Sequence, residues 1–82
     1  MDSINEVMEA VKAYCKEQTS DATYGFYIKD IRAVSFENSK VITLELRTDF
    51  IRNIVSDRYA ALLKEAFKSV LGFDVDINFV TA

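Results

Sequence analysis

The sequence predicts a small α+β domain in which helices cover one side of a short sheet. Apolar residues first recur at helical spacing, from Ile4 through Ile31. They switch to two-residue alternation at Ile42, Leu44 and Leu46. They then return to helical spacing between Thr48 and Gly72 and alternate once more from Phe73 to Phe79. The resulting order, α-α-β-β-α-β, places runs of helix and strand around a single core.

Each element has its own signal. Ser3-Ile4-Asn5-Glu6 reads as a capping box, the Ser3 hydroxyl accepting from the Glu6 N–H and the Glu6 side chain reaching back. Ile4, Val7, Met8, Val11, Tyr14 and Cys15 then make one apolar stripe, so residues 4–18 form the first helix. Polar Gln18-Thr19-Ser20-Asp21 offers new caps, and Tyr24, Tyr27, Ile28 and Ile31 predict a short second helix over about 21–30, weakened by Gly25. Ala33–Phe36 is the first strand, Glu37-Asn38-Ser39-Lys40 the turn and Val41–Leu46 the second strand. In the second strand Ile42, Leu44 and Leu46 alternate with Thr43 and Glu45, so one face is buried. Thr48 is a good cap for a long third helix over 49–71, Asp49 suits its positive end and Gly72 its C-terminus. Phe73, Val75, Ile77 and Phe79 alternate with Asp74, Asp76 and Asn78 and give the third strand.

The composition narrows the function. Eighty-two residues with no proline and two glycines, and no evident linker or repeat, predict one domain over 1–82 with a modest core. Ten basic and thirteen acidic residues give a net charge of −3, interspersed along the chain, which argues against a dedicated duplex-DNA binder. The single cysteine, Cys15, cannot form an intrachain disulfide, and the chain starts without an apolar signal segment. Both favour a reducing, cytoplasmic setting. No apolar run approaches transmembrane length, so no membrane partner is expected.

The chemistry of catalysis is missing. There is no histidine to act as base or metal ligand. Cys15 lies on the apolar stripe of the first helix and reads as a small core hydrophobe, not a nucleophile. No glycine-rich phosphate loop exists. Asp74 and Asp76 share a strand face, where solvation explains them better than a carboxylate pair. The expectation is a binding module without cofactor or metal, not an enzyme.

The segment Tyr24-Gly25-Phe26-Tyr27-Ile28-Lys29-Asp30-Ile31 resembles a signature of the N-terminal domains of the bacterial replication initiator DnaA. There an aromatic is followed three residues on by a second aromatic, usually tryptophan, then an aliphatic, a basic residue, often a proline, and an aliphatic. A hairpin with a polar turn follows, here Glu37–Lys40. Arg47-Thr48-Asp49-Phe50 is similar to the Pro-Asn-x-Phe opening of the family's long helix, and Tyr59 in Asp57-Arg58-Tyr59 to its later aromatic. Gly72 and a strand through Val80 close the pattern, which covers nearly the whole chain. Tyr27 stands where tryptophan is usual, Asp30 and Arg47 replace common prolines, and Thr48 replaces a common asparagine. The loop before the second helix is a few residues long for the family. Tyrosine keeps the aromatic bulk, and threonine keeps the cap.

The resemblance implies a KH-like fold that associates with itself, recruits the replicative helicase and docks regulators of initiation, with at most weak single-strand binding. It also implies a linker, an ATPase domain and a DNA-binding domain after Ala82, so this chain alone should neither hydrolyse ATP nor recognise an origin.

Phe50 has an independent warrant as a contact residue. With Ile51 at zero on a helical projection, Val55, Leu62, Ala66, Tyr59 and Val70 fall between roughly 20° and 100°, and Phe50 near about 260°. An aromatic on the polar face is a candidate anchor; the competing reading folds it back as a staple on a strand. The resemblance favours the anchor, because the matching position contacts helicase or regulators. By the same resemblance Thr23 matches a second helicase contact, and Thr48, Asp49 and Ile51 match regulator-docking positions, although capping and burial explain Thr48 and Ile51 equally well. Ile4 matches an exposed aromatic used for self-association, but it lies within the apolar stripe of its helix, where core packing is the simpler reading. Tyr24, Tyr27 and Ile28 read as core.

Two other functions fit the same outline. A KH-type module gripping single strands would carry a GxxG loop, and Gly25 and Gly72 stand isolated. A free-standing adaptor, encoded apart from any ATPase, would read identically over these residues.

Overall fold

The computed structural model describes residues 4–82, so the Ser3 half of the expected capping box lies outside the described residues. Helix α1 (Ile4–Gln18) buries Val7, Met8, Val11 and Cys15, and the Thr19 hydroxyl donates to the Cys15 carbonyl at its end (2.8 Å). Helix α2 (Asp21–Thr23) starts from Ser20, whose hydroxyl oxygen accepts from the Thr23 N–H at 3.1 Å.

The second helix is not the regular α-helix expected over 21–30. From Tyr24 to Ile28 it widens into a π turn, closed by the Lys29 N–H donating to the Tyr24 carbonyl five residues back (2.8 Å). Tyr24, Tyr27 and Ile28 still pack on the core, and Gly25, a weak helix former, lowers the cost of the distortion.

Strands β1 (Arg32–Glu37) and β2 (Val41–Leu46) form an antiparallel hairpin. Its turn places Asn38 and Ser39 at φ 54° and 55°, the two positive values of a type I′ turn. Ala33 opposes Leu44 and Ser35 opposes Thr43, so Val34 is an extra, bulged residue. Strand β3 (Asp76–Thr81) pairs in parallel with β2, from Val41↔Asp76 to Leu46↔Thr81, making β2 the central strand. The third strand was expected from Phe73 onward. It starts three residues later because β2 begins at Val41, the partner of Asp76, and offers no ladder to residues before it.

Parallel pairing demands a long crossover. Helix α3 (Asp49–Ile54), a second π turn (Val55–Tyr59) and helix α4 (Ala60–Leu71) supply it, ending at Gly72 in the left-handed conformation with φ 85°. The outer limits are those the sequence predicts, but the interior differs. A π turn takes up about one residue more than an α turn, which rotates everything after it by roughly 100°. Leu63 and Phe67, at about 120° and 160° on a regular projection, are therefore fully buried, while Leu62, at about 20° and inside the predicted stripe, is only half-buried.

The core thus joins Ile42, Leu44 and Leu46 on one sheet face to Val55, Leu63, Ala66 and Phe67 of the crossover and to the buried stripe of α1. Two polar bonds tie α1 to the rest: Tyr14 Oη donates to Glu65 Oε1 (2.7 Å) and Lys12 Nζ to the Lys29 carbonyl (2.7 Å). Burial lowers the Lys12 pKa, against the opposing fields of Asp30 and Glu9.

Candidate partner-binding surface

The start of α3 is held by three bonds that leave the next side chain free. Thr48 is extended (φ −139°, ψ 159°), and its Oγ1 accepts from the Ile51 N–H at 3.1 Å. Its carbonyl accepts from the Arg52 N–H at 2.9 Å. Asp49, at the positive end of the helix, accepts through Oδ1 from the Thr81 hydroxyl at 2.6 Å, fastening the helix start to the end of β3. Arg52 approaches the same carboxylate at 3.9 Å. Ile51 turns inward against the core. Phe50, between Asp49 and Ile51, is left 71% exposed. The staple reading of Phe50 therefore fails, and its place off the apolar stripe is that expected of the projection.

The second helix reaches this region from the other side. Asp30, just beyond it, pairs with Arg47, one residue before Thr48 (3.4 Å). Further back, the Tyr27 ring stacks on that of Tyr59 with centroids 5.6 Å apart and planes at 29°. Phe26 leans on Tyr27 (6.1 Å, 44°) and is itself 70% exposed. Phe26 was not singled out from the sequence. It falls roughly 150° from the Tyr24, Tyr27, Ile28 and Ile31 stripe, so the projection that marks Phe50 would have marked it too.

The other expected contact residues are placed as follows. Thr48 and Asp49 lie beside Phe50 and are exposed, though both are engaged in holding the helix start. Thr23 is half-buried and occupied in its own cap, its Oγ1 accepting from the Ser20 hydroxyl at 3.0 Å. What joins its helix to the Phe50 region is the Asp30–Arg47 pair and the Tyr27–Tyr59 stack. Ile4 is half-buried at the start of α1.

Among the described residues no group of three or more His, Cys, Asp or Glu could hold a metal ion. Cys15 is enclosed, and burial pushes its thiol up to about 11, the opposite of what a nucleophile requires. No helix among the described residues is long and apolar enough to cross a membrane.

A small α+β fold that presents exposed aromatics beside a firmly fixed helix start defines a protein-interaction module. The model of the DnaA N-terminal domain family matches residues 5–69, and the chain belongs to that family. Members serve as non-catalytic protein-interaction domains in the initiation of DNA replication. The fold is also that of a solved structure, the crystal structure of a HobA–DnaA (domain I-II) complex from Helicobacter pylori. The match has a TM-score of 0.76 at 19% identity and covers 95% of this chain and 99% of that one.

Proposed function

We propose that this domain recruits the replicative helicase and regulators of initiation through a surface centred on Phe50, with Asp49 and Thr48 beside it, Ile51 supporting it and Thr23 at its rim. The observation that carries this reading is an aromatic 71% exposed on a helix start that three bonds hold in place. Binding hot spots favour aromatics, and a preorganised anchor loses little entropy on docking. The Helicobacter pylori relative is seen in complex with HobA, which supports a protein as the occupant. Phe26, equally exposed, extends the aromatic surface along the second helix. Self-association seeded at Ile4 belongs to the same reading, within an 82-residue single domain.

The test is Phe50→Ala, measured for thermal unfolding beside binding to the cognate helicase. Truncating a hot-spot aromatic costs at least about 2 kcal/mol of binding, whereas truncating a core phenylalanine costs roughly 3–5 kcal/mol of stability. Lost binding with near-normal unfolding is expected. Unchanged binding would refute the anchor. Salt-sensitive retention of the chain on single-stranded DNA, with no helicase binding, would replace this reading by a KH-type nucleic-acid module.

A further inference from the structure

Helix α1 and the start of β1 leave a half-open cavity of about 250 Å³ between them. Met8, Ile31 and Ala33 give it an apolar wall, and Glu9, Lys12 and Arg32 give it charges. Glu9 and Lys12 stand three apart on α1, a spacing at which opposite charges ordinarily pair. Among the described residues no ion pair joins them, and the Glu9 carboxylate has no hydrogen bond. Lys12 Nζ turns instead to the Lys29 carbonyl (2.7 Å), a neutral partner, although burial disfavours its charge. An ammonium has three donors, and this bond uses one. Arg32 meets Glu45 at 3.5 Å, but its side chain is 76% exposed, and a guanidinium has donors for a second carboxylate. Two cations and one anion, each with bonding capacity to spare, thus stand beside an apolar wall.

This set of groups excludes most occupants. A plain carboxylate would be repelled by Glu9, and a plain amine by Lys12 and Arg32. A bare phosphate would leave Met8, Ile31 and Ala33 facing water. A zwitterion with an apolar arm satisfies all of them. At ~30 Å³ for each water in the liquid, the cavity holds roughly eight. That is the bulk of an aliphatic amino acid and falls short of the roughly 300–1,000 Å³ of drug-sized sites. Cβ atoms three apart on a helix are about 5–6 Å apart, and an ammonium and a carboxylate on one carbon span that gap.

We propose that this cavity binds a free aliphatic α-amino acid, its carboxylate between Lys12 and Arg32, its ammonium on Glu9 and its side chain against Met8, Ile31 and Ala33. Three unlike contacts fix the configuration at the α-carbon, so the site prefers one enantiomer. A ligand this small in a half-open site binds with a Kd on the order of 1 mM. It joins α1 to β1, and its supply stabilises that contact by mass action. The last residue of a partner protein offers the same carboxylate and side chain but no ammonium, and Glu9 favours the free amino acid. The site uses none of the residues around Phe50 and does not rest on their reading.

L-leucine is the probe, added to the 82-residue chain and followed by amide NMR shifts beside thermal unfolding. Saturable shifts are expected at Met8, Glu9, Arg32 and Ala33, with Phe50 unmoved. D-leucine, L-leucine amide, which lacks the carboxylate, and N-acetyl-L-leucine, which lacks the ammonium, are each expected to bind at least about fivefold more weakly. Arg32→Gln and Glu9→Gln should weaken L-leucine by a similar factor and unfold near the parent temperature, because both side chains are exposed. Shifts that do not saturate well above that Kd would overturn the proposal. So would equal binding of D-leucine, or unchanged binding in both variants. N-acetyl-L-leucine bound as tightly as L-leucine would overturn it in favour of a partner's C-terminal residue.

Discussion

Tyr27 and Tyr59 stack with their centroids 5.6 Å apart, and each lies in a π turn. The two irregular turns of the helical layer thus meet through one aromatic pair. An aromatic pair contributes about 0.5–1.5 kcal/mol beyond the area it buries. Tyr59→Ala should cost about 2 kcal/mol, less than a fully buried phenylalanine, while Tyr59→Phe, which keeps the ring, should cost under about 1 kcal/mol. A double-mutant cycle of Tyr27→Ala and Tyr59→Ala, followed by chemical denaturation, should show a coupling of about 1 kcal/mol. Strict additivity would mean that the stack contributes nothing of its own.

The rotation at the second π turn predicts which leucine matters. Leu63→Ala removes a side chain with no exposure and should cost about 2–5 kcal/mol, and Phe67→Ala about 3–5 kcal/mol. Leu62→Ala, on the half-buried side, should cost clearly less. Equal losses at 62 and 63 would show that the helix runs regularly past Val55. Urea midpoints of the three variants decide it.

Cys15 predicts a pH window. Burial raises its thiol from the ordinary 9.0 to about 11. A group raised on folding stabilises fully below its unfolded pKa, and that contribution is lost as pH rises through the folded value. Stability should therefore fall between pH 9 and about 11, and Cys15→Ala should remove that part of the slope. At pH 8 a thiol reagent should modify the unfolded chain quickly and the folded chain only at its unfolding rate. Prompt modification of the folded chain would contradict the enclosure.

Ile4 separates self-contact from packing. If its half-buried side chain seeds association, Ile4→Ser should move sedimentation toward monomer with little change in melting temperature. A large drop in melting temperature in a chain that was monomeric throughout would assign Ile4 to the core.

The legible parts of this fold are those fixed by local chemistry. Thr48, Ser20 and Gly72 cap helices where cap chemistry predicts. The alternation in β2 names its buried face correctly, and Phe50 projects from the polar face because it precedes the π turn. What escapes depends on distant partners. Residues 51, 55, 59, 63 and 67 repeat every four positions, a drift of roughly 40° per step that a regular helix cannot keep against one core. That drift was a visible signal of the π turn, but which turn absorbs it is set by packing. The late start of β3 is dictated by β2, and the Asp30–Arg47 pair joins residues seventeen apart (47 − 30). Neither has a local signature.

The second π turn also bears on how related chains can be compared. Length changes inside a helix are ordinarily excluded, because a missing residue turns the rest of the helix out of its packing. Between Val55 and Tyr59 the crossover already holds a residue in surplus. A relative one residue shorter there could revert to a regular α-helix and still present a full buried stripe, provided its apolar pattern after the gap had moved by one position as well. A single-residue gap at this point, paired with a shifted stripe downstream, is thus a homologous helix in a different winding rather than an alignment error.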